Sequence, residues 1–127
     1  MVKITRMQVA TEVLYVDSEA SIINARETVK KIAESIGFDV YDQYRIATAV
    51  SELAENAVKY AGGGTMEFRP IRRGLEIICK DSGRGMMQKN TRHGLGIGLK
   101  SIEHLMDEMT VTTEEHGTRI IVRKWLR

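Results

Sequence analysis

Cysteine, proline and tryptophan each occur once in this chain, at Cys79, Pro70 and Trp125, and phenylalanine occurs only twice. A single cysteine excludes an internal disulfide, and nothing in the sequence calls for an oxidising compartment. Cys79 lies in an apolar stretch, where a plain buried thiol is expected rather than a nucleophile. So few aromatic side chains offer no stacking platform for single-stranded nucleic acid. The three histidines, His93, His104 and His116, are scattered, and none has metal-ligand spacing. An excess of one charge is also lacking: 19 basic against 17 acidic residues give a formal net charge of +2, too little to argue for a nucleic-acid or membrane partner. No apolar run reaches membrane-spanning length, and the N-terminus has no signal-peptide pattern. The expectation is a cytoplasmic protein forming one domain over residues 1–127, a length sufficient for one hydrophobic core.

Glycine, in contrast, is concentrated. Gly83, Gly85, Gly94, Gly96 and Gly98 fall within sixteen positions of the stretch Asp81 to Leu99. Leu75 to Lys80 reads as a strand that delivers Asp81 to its own end. Gly98 to Met106 reads as a helix that begins where the second glycine cluster stops. A glycine-rich loop running into a helix start presents free backbone N–H groups, which suit phosphate. A carboxylate fixed at a strand end is able to accept a hydrogen bond from an exocyclic amino group such as that of adenine. The stretch therefore reads as a nucleotide pocket with a purine end and a phosphate end. It is neither of the two commonest phosphate loops: the third glycine of the dinucleotide fingerprint is missing, and no Gly-Lys-Ser/Thr follows.

The remainder supplies a scaffold. Residues 2 to 16 are rich in Val, Ile, Thr and Tyr and are expected to be extended, with both faces covered. Asp17 or Ser18 caps a helix whose stripe is Ile22, Ala25, Val29, Ile32, Ala33 and Ile36, and Gly37 ends it. Asp39 caps a second helix, to about Tyr60, with Ile46, Val50, Leu53 and Ala57 on its core face. Glu52 and Asn56 share a face about a quarter-turn from that stripe, where side chains reach the rim of a cleft. Gly62, Gly63 and Gly64 are expected to make a flexible turn. Met66 and Phe68 alternate in a strand for which Pro70 marks an edge or an end, and Leu75, Ile77 and Cys79 alternate in the next. The third helix carries Leu99, Ile102, Leu105 and Met106 inward. A final hairpin joins Thr110–Thr113 to Arg119–Leu126 about His116-Gly117. Short turns between neighbouring strands imply an α+β two-layer sandwich, with a mixed, mostly antiparallel sheet and helices packed on one face.

Four pieces taken together resemble the ATP-binding domain of the GHKL superfamily, the Bergerat fold of gyrase, Hsp90, histidine kinases and MutL. Glu52 with Asn56 resembles its N box. Asp81, Gly83 and Gly85 resemble its adenine-binding box. Gly94, Gly96 and Gly98 resemble its second glycine box, and Gly117-Thr118 its last small motif. All four occur in the family's order, over roughly residues 18 to 127. Within the superfamily the helix Thr48-Ala49-Val50-Ser51-Glu52-Leu53-Ala54-Glu55-Asn56 is similar to that of the stand-alone serine kinases of bacterial partner-switching modules, the anti-sigma and stressosome switch kinases.

The resemblance implies roles. Asn56 would hold Mg²⁺ through its amide oxygen, with ATP phosphates and waters completing the shell. Asp81 would read the adenine amino group, with Gly83 and Gly85 beside it and Thr118 supporting Asp81 and the base through its hydroxyl. Gly94, Gly96 and Gly98, followed by Leu99, would cradle phosphates. Glu52 would orient or deprotonate a serine hydroxyl, since phosphoryl transfer needs positioning and charge neutralisation above all. The implied activity is an ATP-dependent protein serine kinase acting on a small STAS-type antagonist protein and then switching a downstream regulator, a phosphatase or a sigma factor. The alternative is a non-catalytic, anti-sigma-type module that sequesters a partner. One departure stands out. The lid from Met86 to His93 has eight residues, short for such a kinase, and Arg92 is its candidate γ-phosphate contact.

Overall fold

The computed structural model of the protein describes residues 9–81 and 94–127, and for 94–98 the backbone only. The positions Gly83, Gly85 and Arg92, and the whole lid from Met86 to His93, lie outside the described residues.

The expected extended stretch from 2 to 16 is, among the described residues, a five-residue strand, β1 (Glu12–Val16). Its two faces are unequal. Val16 is buried and Leu14 packs on the core, but Val13 and Tyr15 are 60% and 59% exposed. Both faces were expected to be covered. Because the helices cover one face of the sheet only, the alternate side chains of β1 face outward.

Helix α1 (Glu19–Ile36) starts at Ser18, whose side chain accepts from the Ser21 backbone N–H while Ser21 reciprocates. Gly37 ends α1 in the left-handed region at φ 116°. Helix α2 (Val40–Ala61) starts at Asp39, which accepts from Asp42 N–H, and is closed by Gly62 at φ 78°. Its buried face is wider than the four expected residues. Ala47, Ala49 and Ala54 join Ile46, Val50, Leu53 and Ala57, because α2 packs against the sheet, α1 and a third helix at once. Small side chains permit that close approach.

β2 (Gly64–Ile71) follows directly, so the three glycines are not an open turn. Gly63 and Gly64 are buried, and Gly64 is already the first strand residue. Pro70 lies past the last β2 residue paired with β1, Phe68, as a proline that cannot serve two neighbours should. The Arg72-Arg73 turn, with Arg73 at φ 65°, leads into β3 (Gly74–Lys80). Helix α3 (Gly94–Leu105) is followed by β4 (Glu108–Glu114) and β5 (Gly117–Trp125). The final hairpin turns at Glu115-His116, one residue earlier than expected, since Gly117 pairs with Glu114.

The sheet order is β1-β2-β3-β5-β4, and every pairing among the described residues is antiparallel. Met66, Phe68, Leu75, Ile77, Ile120 and Val122 face the helices and are buried with Leu53 and Ile102. Each large apolar side chain so buried contributes about 1.5–3 kcal/mol relative to exposure. The central strand β3 and its neighbour β5 carry Asp81 and Gly117-Thr118 to one end of this core.

Candidate active site

Asp81 follows the last residue of β3 and is 1% exposed. Its placement comes from β5. The Asp81 N–H donates to the Thr118 carbonyl at 3.1 Å, and the Thr118 N–H donates to Asp81 Oδ2 at 3.2 Å. The two residues thus continue the β3–β5 ladder one rung past Lys80 and Arg119, with a side-chain oxygen replacing a backbone one. The Thr118 backbone N–H holds the Asp81 carboxylate, because antiparallel pairing points that N–H at it. Gly117 allows the approach: a Cβ there would run into the Asp81 carbonyl oxygen.

Among the described residues, two buried side-chain polar atoms have no hydrogen-bond partner, Asn56 Nδ2 and Thr118 Oγ1. A buried polar atom left unsatisfied costs about 1–3 kcal/mol. Both atoms belong to residues singled out by their sequence motifs, and both are ready to bond a ligand bearing donors and acceptors. Glu52, one helical turn before Asn56, is half-buried on the same side of α2. Neighbouring Ser51 accepts a hydrogen bond from the Arg26 guanidinium of α1 at 3.2 Å. Beneath the site, Cys79 Sγ lies 3.9 Å from the Leu53 carbonyl oxygen of α2. Burial, with a smaller contribution from the Asp81 charge, pushes its thiol up to about 12. It is the expected buried thiol, protonated at neutral pH and unable to act as a nucleophile.

The phosphate end differs in one respect from the sequence expectation. Helix α3 begins at Gly94, four residues before the expected start, so Gly94, Gly96 and Gly98 lie inside its first turns. A glycine within a helix costs about 1 kcal/mol, and the well-packed turns beyond, with Ile102 and Met106 buried, support propagation back through them. The first four N–H groups of the helix still lack intrahelical acceptors, so the glycine segment keeps its donors. Leu99 packs partly against the core cluster.

The donor set fits MgATP. Asp81 supplies a buried carboxylate that is able to accept from an amino group, and Asn56 supplies an amide on α2. Among the described residues no group of three His, Cys, Asp or Glu side chains is placed to hold a metal ion. Mg²⁺ takes oxygen ligands and keeps several waters, so the Asn56 amide oxygen together with phosphate oxygens would suit it. Two features escaped sequence reasoning. Arg26 falls at the margin of the α1 stripe, and only packing shows that it reaches Ser51. Gly64 looks like part of a turn, and only strand pairing shows that it faces Asp81.

Residues 16–124 match the family model described as the histidine kinase-like ATPase domain. The chain belongs to that family. It is 38% identical over 123 residues to the serine/threonine-protein kinase RsbT of Bacillus subtilis, with 87% of this chain and 92% of that protein covered. By this relationship the chain is a serine/threonine-protein kinase. Solved structures agree on the fold. The RsbU and RsbW domains of Rv1364c from Mycobacterium tuberculosis superpose with a TM-score of 0.69 at 20% identity, over 91% of this chain and 32% of that one. The histidine kinase domain of a blue-light-activated kinase from Erythrobacter litoralis gives 0.56 at 21% identity, over 83% of this chain and 63% of that one. The chain thus spans about a third of the first solved chain and under two thirds of the second. Among the described residues no helix is long and apolar enough to cross a membrane.

Proposed function

We propose that this kinase phosphorylates a serine of a small STAS-type antagonist protein in a bacterial partner-switching module, and that it then binds and switches a downstream regulator, a phosphatase or a sigma factor. The identity with RsbT along nearly the whole of both chains carries this reading. Its setting would be the cytoplasm, the compartment that supplies ATP.

The site residues support a division of labour. The Asp81 carboxylate, held by the Thr118 N–H, accepts from the adenine amino group, and the free Thr118 hydroxyl bonds the base. The Asn56 amide faces the phosphates, where its oxygen would hold Mg²⁺, which neutralises charge developing on the transferred group. The free N–H groups of the segment that begins at Gly94 and runs through Gly96 toward Gly98, with Gly83 and Gly85 on the adenine side and Arg92 in the lid, complete the nucleotide contacts. Glu52 orients the incoming serine hydroxyl and takes its proton as the oxygen bonds to the γ-phosphorus and the bond from that phosphorus to the bridging oxygen of the leaving ADP breaks.

Incubation with Mg²⁺, γ-labelled ATP and candidate STAS proteins tests the reading. Label is expected on one serine of one antagonist. Glu52→Ala is expected to keep most ATP binding and to lose about 10²–10⁴ in transfer rate, the usual contribution of a general base. Transfer at the native rate by Glu52→Ala would show that Glu52 is only a solvated helix residue. Tight antagonist binding by the wild type without transfer would favour the sequestering alternative.

A further inference from the structure

We propose that Gly64 is a positioning residue for Asp81 and, through it, a determinant of the preference for adenine nucleotides. The inference rests on the reading of Asp81 as the adenine contact. The β2–β3 register pairs Thr65 with Lys80, and one step further sets Gly64 opposite Asp81. A Cβ on Gly64 would lie 2.5 Å from the Lys80 carbonyl oxygen and 3.2 Å from Asp81 Cα. Both are backbone atoms of the peptide that carries the carboxylate, so neither swings aside as a side-chain tip would. On its other side Asp81 is closed in by Gly117. Gly64 itself cannot simply withdraw, because its other neighbour, Val16 of β1, is paired with it and fully buried. A side chain at position 64 is therefore accommodated by displacing the Lys80–Asp81 peptide.

The same glycine sets a second distance. Helix α2, which carries Glu52 and Asn56, ends at Ala61, and only Gly62 and Gly63 separate it from Gly64. Gly63, at φ 138°, is itself pressed on β1: a Cβ there would lie 2.7 Å from the Val16 carbonyl oxygen. This short link, buried at Gly63, ties the helix that carries Glu52 and Asn56 to the strand residue opposite Asp81.

The test is the affinity of the full chain for MgATP and for purine riboside triphosphate, which lacks only the 6-amino group, measured by calorimetry. The wild type is expected to prefer ATP, and Asp81→Asn to lose that preference. Gly64→Ala is expected to reduce the ATP preference about tenfold or more while affinity for the analogue changes little, since a misplacement on the order of 1 Å is able to cost about 10²-fold. Gly37→Ala is the control. Its φ of 116° makes any side chain strained, but no atom lies within 4 Å of the added Cβ, so it should lower stability and leave the ratio unchanged. A wild-type ratio in folded Gly64→Ala overturns the proposal. If Gly64→Ala does not fold, Thr65→Gly loosens the same rung, where Thr65 Oγ1 lies 3.5 Å from the Lys80 carbonyl oxygen. A wild-type ratio there also overturns it. If Asp81→Asn keeps the preference, the adenine reading itself falls; if only Gly64→Ala and Thr65→Gly keep it, the positioning role alone falls.

Discussion

Asp81→Asn isolates what one carboxylate does in this site. The amide oxygen still accepts from the Thr118 N–H, so the strand end is expected to hold, but the amide NH₂ then meets the adenine amino group as donor against donor. The expected result is a loss of ATP affinity of about 1–3 kcal/mol or more, read by calorimetric titration. Unchanged affinity would remove Asp81 from the adenine contact. Cys79 gives a second measurement at this scale. Its thiol is held protonated to about 12 in the folded chain, against an ordinary value of 9.0. Below pH 9 both states keep the proton and the group has no effect on stability. Between pH 9 and about 12 the unfolded chain ionises and the folded chain does not, so stability is expected to fall by up to about 1.4 kcal/mol per pH unit. Denaturation series across this range, compared with Cys79→Val, check the slope. The slope should be shallower in the variant.

Element stability depends on caps and on one charged row. The Ser18–Ser21 box closes the start of α1, and Ser18→Ala is expected to cost about 1 kcal/mol in a urea titration. Across the outer face of the sheet, Arg69, Glu76, Arg123 and Glu108 stand in register on four adjacent strands with alternating charge. Glu76 is 5% exposed, accepts from Arg123 Nε at 2.7 Å and pairs with Arg69 Nε at 3.2 Å. Arg123 also donates to Glu108 at 3.0 Å, and the Trp125 indole to the same carboxylate. Removing Arg123 leaves a buried carboxylate with one partner in place of two. Arg123→Ala is expected to destabilise by about 2 kcal/mol, somewhat less than a fully buried pair because the guanidinium is part-exposed. A loss under about 0.5 kcal/mol would show that Arg69 alone suffices.

For the molecule as a whole the question is how ATP and protein partner are coupled. The segment from Met86 to His93, the expected lid, has only eight residues with which to cover three phosphates. Each charge-assisted bond it does not make forgoes roughly 1.5–3 kcal/mol of interaction. The lone chain is expected to bind ATP weakly, and a partner that closes over the lid to tighten binding. Linkage then requires ATP to tighten the partner by the same factor. Titrations of ATP with and without the antagonist, on wild type and Arg92→Ala, check this, the variant losing the gain rather than the basal affinity. Tight binding by the lone chain, indifferent to partner, would contradict it. At the end of the sheet away from Asp81 the chain is closed by a buried cation. Lys124 of β5 donates to the Leu105 carbonyl at the end of α3 and lies 3.7 Å from both Asp42 of α2 and Asp107.

What the sequence determined by itself was local or periodic. Ser18, Gly37, Asp39 and Gly62 bound the helices because capping chemistry acts within four residues, and alternation in β2 and β3 named the inward side chains because one face of the sheet is buried. The shared face of Glu52 and Asn56 on α2, and the strand leading to Asp81, are legible for the same reason. Tertiary structure decided what depends on partners distant in the chain. Thr118 orients Asp81 through its backbone because β5 lies beside β3. Val13 and Tyr15 are exposed because no helix covers their face. Gly64 reads as a turn residue until pairing sets it opposite Asp81. Helix α3 reaches back to Gly94 because packing farther along offsets the helix cost of glycine. In each case the deciding contact spans many residues, and no periodicity within one segment encodes it.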